Sequence, residues 1–65
     1  MKTLLVDEIE GMRIYESGTL DVEDIDYCCT LVDGQTGQTF DFYGETAYTS
    51  AMRELIEILV ERIHG

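Results

Sequence analysis

The stretch "IDYCCTLVDGQTGQTFDFY", residues 25–43, decides the fold because it has the pattern of a β-hairpin. Apolar residues alternate with more polar neighbours on both sides of a centre that contains two glycines. This alternation is typical of paired strands with one buried face. The apolar positions are Ile25, Tyr27, Cys29 and Leu31 before the centre and Phe40 and Phe42 after it.

The length of the hairpin loop follows from the pairing of these side chains. A four-residue loop, residues 34–37, pairs Leu31 with Phe40 and Cys29 with Phe42 on one face. A three-residue loop would move the first set to the opposite face, because a shift of one residue exchanges the faces of a strand. We therefore predict the four-residue loop, with its last glycine in the left-handed conformation.

The N-terminal residues predict a second hairpin, with strands over residues 3–9 and 12–16 joined at Glu10-Gly11. A short helix over residues 2–10, ended by the glycine, is the alternative interpretation. In the strand interpretation, the core face is shared by Leu4, Val6, Met12 and Ile14.

Residues 46–64 have the period of an amphipathic helix, with Thr46 as the expected N-cap and Gly65 as the C-terminal glycine. At about 100° per residue, the apolar side chains fill an arc of about 220°, which is wider than one sheet face requires. We expect the edge formed by Ile56 and Val60 to be covered by loops or to contact another chain. Acidic residues line the opposite side: Glu54, Glu57 and Glu61.

Together these segments predict a single α+β domain over residues 1–65. It consists of a small antiparallel sheet of three to four strands with one C-terminal amphipathic helix packed on one face. A chain of this length buries only about 60% of the surface that its unfolded form exposes, so a partner or a second copy would add stability.

Charge is the strongest compositional feature, since 4 lysines and arginines face 14 aspartates and glutamates for a formal net charge of -10. Nucleic acids and anionic membranes carry charge of the same sign, so direct binding to either is disfavoured. A basic surface of a protein partner would be attracted instead. The predicted partner-binding acids are Asp7, Glu8, Glu10, Glu16, Asp21, Glu23, Asp24, Asp26, Glu54, Glu57 and Glu61.

The sequence predicts neither an enzyme nor a metal or cofactor site. Its single histidine, His64, is predicted to lie on the polar arc of the helix near its last residue, with no nucleophile placed beside it. Cys28 and Cys29 are adjacent and lack basic neighbours, so they indicate packing in a reducing cytoplasm. The acids from Asp21 onward do not match a calcium-binding loop.

In length, acidity and expected fold the chain resembles phage-encoded inhibitors of host defence, including anti-CRISPR and DNA-mimic proteins. The resemblance is one of composition and size, without a shared motif. It implies a cytoplasmic binding protein that occludes a basic, nucleic-acid-handling partner. The alternative is a small module with a generally acidic surface that self-associates as a homodimer through Ile56 and Val60.

Overall fold

The computed structural model describes residues 3–18 and 26–65. Their elements follow in the order β1 (Leu4–Ile9), β2 (Met12–Ser17), β3 (Cys28–Asp33), β4 (Thr39–Tyr43) and α1 (Ala47–His64). The strands form one antiparallel sheet in the order β1-β2-β3-β4, and α1 packs on it. The predicted α+β architecture is confirmed, and the N-terminal segment forms a strand rather than the alternative helix.

The hairpin of β3 and β4 has the predicted register. Leu31 pairs with Phe40 and Cys29 with Phe42. The Asp33 N–H donates to the Gln38 carbonyl at 2.9 Å, which closes the four-residue loop. The last glycine of that loop has a φ of 78°, in the left-handed region that favours glycine.

The hairpin of β1 and β2 turns at Glu10 and Gly11, whose φ angles are 50° and 81°. Positive φ at both central residues matches the twist of antiparallel strands in a two-residue turn. Farther from the turn, Asp7 pairs with Ile14 and Leu5 pairs with Tyr15, so two steps along β1 correspond to one step along β2. The intervening residue of β1 therefore forms a β-bulge, which bends the strand.

The core lies between β2, β3, β4 and α1. Its fully buried apolar residues are Met12, Ile14, Cys29, Leu31, Ala47, Ala51 and Leu55. The small alanines allow α1 to approach the sheet closely, and Phe40, Phe42 and Ile58 pack around this centre.

The prediction that Leu4 and Val6 belong to this core is wrong, since they are 54% and 37% exposed. There are two physical reasons. The bulge falls at Val6, which is left without a partner in β2, whereas Leu4 stays on the helix side opposite Glu16. α1 packs on β2, β3 and β4, away from β1, so it does not cover either residue.

The ends of α1 are close to the predicted ones. Thr46 is the N-cap residue, but its side chain makes no capping hydrogen bond. Its carbonyl accepts from the Ser50 N–H at 2.9 Å. At the other end, the Gly65 N–H donates to the Glu61 carbonyl at 2.6 Å, and Arg62 lies in the last turn.

Candidate protein-binding surfaces

The first two predicted binding acids, Asp7 and Glu8, lie on opposite faces of β1, because successive side chains of a strand alternate. Asp7 is on the side of α1, where its carboxylate accepts a hydrogen bond from the Tyr48 hydroxyl. That bond raises the pKa of Tyr48. Glu8 is on the open side of the sheet and forms a salt bridge with Arg13 at 2.7 Å. These two acids therefore face different surroundings.

Glu16 lies at the end of β2, on the α1 side, and it is held by Tyr27 rather than by a cation. The Tyr27 hydroxyl donates to Glu16 Oε2 at 2.8 Å and accepts from the Cys29 thiol at 3.1 Å. The hydrogen bond with Cys29, burial and the nearby carboxylate together raise the pKa of Tyr27. The Glu16 carboxylate is therefore held by an intramolecular hydrogen bond.

The remaining acids of the first half are spread along the sheet. Glu10 is exposed in the turn between β1 and β2, and Asp26 is exposed just before β3. Asp21, Glu23 and Asp24 lie outside the described residues. Among the described acids of this group, the structure shows no single face on which all are collected.

The helix acids lie on both flanks of α1. Glu61 borders a shallow cleft of about 660 Å³ together with Gln38 and Phe40, which places it on the β4 side of α1. The hydrogen bond from Tyr48 to β1 identifies the other flank of the helix. Glu57 and Glu61 are exposed, whereas Glu54 is half-buried. Glu57 borders a depression lined by Tyr48 and Ile56, so the helix acids are not collected on one flank either.

Few of these charges are neutralised internally. Within residues 3–18 and 26–65, the salt bridges are Arg13 with Glu8 and Arg62 with Asp33. Of the 11 described acids, these two pairs leave nine outside any such salt bridge: Asp7, Glu10, Glu16, Asp26, Asp41, Glu45, Glu54, Glu57 and Glu61. Much of the acidic surface therefore remains available to an external cation.

The residues considered for chemistry are not arranged for it in the described part of the chain. Cys29 is fully buried, and burial raises the pKa of its thiol, which lowers the thiolate fraction. His64 is exposed at the end of α1. No group of three or more histidine, cysteine, aspartate or glutamate side chains is placed to hold a metal ion among the residues that the structure describes.

An apolar surface is the second feature that could bind a partner. Nine large apolar side chains are exposed among the described residues, and all except Tyr43 lie on β1 or α1: Leu4, Leu5, Val6, Ile9, Tyr48, Ile56, Val60 and Ile63. Ile56 and Val60, the predicted self-association residues, are 53% and 47% exposed. Neither is covered by a described loop to the extent that would bury it.

On α1 the exposed apolar side chains form a continuous band with two half-buried ones, Met52 and Leu59, which pack against the edge of the core. We call this band the outer stripe: Tyr48, Met52, Ile56, Leu59, Val60 and Ile63. Near its N-terminal end, Tyr48, Met52 and Ile56 line a shallow depression of about 370 Å³. Arg53 and Glu57 stand at the rim. The depression therefore has an apolar floor, with one positive and one negative side chain at its edge.

Sequence reasoning missed three features that organise these surfaces. It did not find the bulge in β1, the salt bridge between Arg62 and the buried Asp33, or the contact of Tyr48 with Asp7. The position of Arg62 on the sheet side of α1 was a usable signal, because a buried cation implies an acidic partner. The other two features have no local signature in the sequence.

No family model matches the chain, and neither a curated protein nor a solved structure matches it. Within the described residues, no helix has the length and apolar content that a membrane span requires.

Proposed function

We propose that the protein is a small, non-enzymatic binding protein of the cytoplasm that occludes a basic, nucleic-acid-handling partner protein, in the manner of phage-encoded inhibitors of host defence. The observation that carries this proposal is the excess of unpaired charge. Nine described acids take part in no salt bridge with another described residue. A net charge of -10 concentrated on 65 residues attracts a lysine- and arginine-lined groove and accelerates association with it.

The predicted acids form two candidate contact sets. One is the set of residues 7–26, whose described members lie on both faces of the sheet, and the other is the helix acids Glu54, Glu57 and Glu61. Duplex DNA carries one charge per about 1.7 Å of axis, so a groove built for phosphates favours whichever set brings its carboxylates closest together.

The first experiment uses the protein as bait in a lysate at low salt and again at high salt. We expect basic proteins to be retained at low salt and released at high salt, because exposed charges are screened by added ions. A fourfold change of Asp21, Glu23, Asp24 and Asp26 to lysine should abolish retention without altering the circular dichroism spectrum. Duplex DNA should compete with the protein for a retained partner, since occlusion requires a shared site.

Two charge-matched double variants then identify the contact surface. One changes Asp24 and Asp26 to lysine, and the other changes Glu57 and Glu61 to lysine. A specific contact loses binding in one double variant only, whereas equal losses indicate attraction by net charge alone. Retention that survives both the fourfold variant and high salt would contradict the proposal.

A second candidate function is supported by a different observation, the exposure of Ile56 and Val60 on α1. In this function the protein is a structural module that self-associates. Sedimentation of the wild-type chain tests it, since a monomer at tens of micromolar excludes it. A dimer that is dissociated by Ile56→Glu or Val60→Glu supports it.

A further inference from the structure

The helix-side face of the sheet is wider than α1. Adjacent strands lie about 4.8 Å apart, so the outer two of four strands are separated by about 14 Å, whereas packed helices need only about 8–10 Å between their axes. α1 packs on β3, β4 and β2. The face over β1, where Leu4 and Ile9 are exposed, therefore has room for a second helix.

The apolar side chains of α1 extend beyond the face that the sheet buries, and Met52 and Leu59 lie between the buried and the exposed part. Ala47, Ala51 and Leu55 face the sheet and are buried. In the outer stripe, Met52 is followed by an apolar residue after four, three and four positions, which are Ile56, Leu59 and Ile63. Alternating steps of four and three residues are the spacing of a seam between two packed helices. The outer stripe thus has the pattern expected of a contact with another helix.

The charges near the outer stripe favour a second copy over a basic partner. The stripe contains no carboxylate, and a partner recognised by its positive charge would be drawn to the acids on other surfaces. Arg53 borders the stripe and forms no salt bridge with a described residue. A second copy would bring Glu57, which is exposed beside its own stripe, within reach of that arginine.

We infer that a second copy of this chain docks along the outer stripe, with its α1 beside the first α1 and over β1. The inference rests on the second candidate function and names its surface and its occupant. The contact buries Ile56, Val60 and Ile63 and shields the apolar side chains of β1. It also explains how a 65-residue chain retains so much exposed apolar surface.

Analytical ultracentrifugation tests the inference with two stripe variants and one control. Ile56→Glu and Ile63→Glu each place a carboxylate within the seam and should raise the dimer Kd by about a hundredfold or more, since a buried charge without a partner is strongly disfavoured. Tyr43→Glu adds the same charge to an exposed apolar residue of β4, outside the stripe, and should leave the dimer intact. Added salt should strengthen the wild-type dimer by screening the repulsion between two acidic chains.

Isotope-filtered NMR on a mixture of labelled and unlabelled chains identifies the surface directly. We expect contacts between copies from the methyl groups of Ile56 and Ile63. A wild-type monomer at tens of micromolar overturns both self-association and this inference. A dimer that persists in both stripe variants, or whose contacts come from the outer edge of β4, overturns the inference and leaves self-association standing.

Discussion

Arg62, in the last turn of α1, forms a salt bridge with Asp33, a buried carboxylate at the end of β3. The same carboxylate accepts a hydrogen bond from the Gln35 N–H at 2.9 Å, inside the loop between β3 and β4. One side chain thereby joins the end of the helix to the hairpin that decides the fold. Removing Arg62 would leave the buried carboxylate of Asp33 without its cation, which is costly.

Asp33→Asn is expected to weaken the fold at neutral pH and to flatten its response to acid. The hydrogen bond from Gln35 and the neighbouring Arg62 lower the pKa of Asp33 below its unfolded value of about 3.9. Its contribution is therefore present above that value and is lost as the pH falls through the folded pKa. Urea unfolding at pH 7 and below pH 4 should show a smaller acid loss in the variant than in the wild type. Asp26→Asn, at an exposed position, should retain the wild-type response.

Leu55→Ala should lower the free energy of unfolding by about 2–5 kcal/mol, because it leaves a cavity between α1 and the sheet. Leu55 is only 1% exposed, at the centre of the helix face that the sheet covers. Glu57→Ala, on the exposed side of the same helix, should change stability by less than about 0.5 kcal/mol. Chemical denaturation compares the two, and equal effects would mean that α1 is not seated as described.

Replacing either glycine of the hairpin loop by alanine should destabilise the fold, but for a different physical reason at each position. Gly34 lies against the other hairpin, where an added Cβ would be 2.4 Å from the Gly11 carbonyl oxygen. Gly34→Ala should therefore cost about 1–3 kcal/mol through this clash. Gly37 has open space around it but a positive φ, so Gly37→Ala should cost roughly 1 kcal/mol.

Asparagine distinguishes the two mechanisms, because it tolerates the left-handed conformation better than alanine does. Gly37→Asn should be more stable than Gly37→Ala in thermal unfolding. Gly34→Asn should give no such recovery, since its side chain meets the same carbonyl. A recovery at both positions would argue against the close approach of the two turns.

The adjacent cysteines should differ in reactivity toward a thiol reagent. Cys29 is fully buried, its thiol donates to Tyr27, and burial raises its pKa. Cys28 is half-buried on the open side of the sheet. In the Cys28→Ser variant, labelling of the remaining thiol should be negligible in the folded state and complete in denaturant. Fast labelling of that variant under native conditions would show that the face under α1 opens readily.

The strands of the second hairpin and the helix could be predicted from the sequence, because each depends on a pattern among residues that are close together in the chain. The alternation around residues 34–37 set both the loop length and the pairing of Leu31 with Phe40, and a one-residue slip would have exposed the apolar set. The helix was equally readable from its period. The predicted edge at Ile56 and Val60 followed from an apolar arc too wide for one sheet face, and both residues are exposed in the structure.

The surfaces depended on contacts between distant segments. The bulge in β1 and the placement of α1 over β2, β3 and β4 decided that Leu4 and Val6 stay outside the core. Periodicity specifies which side chains share a face of one element, whereas the packing of elements against each other specifies which of those faces remain exposed.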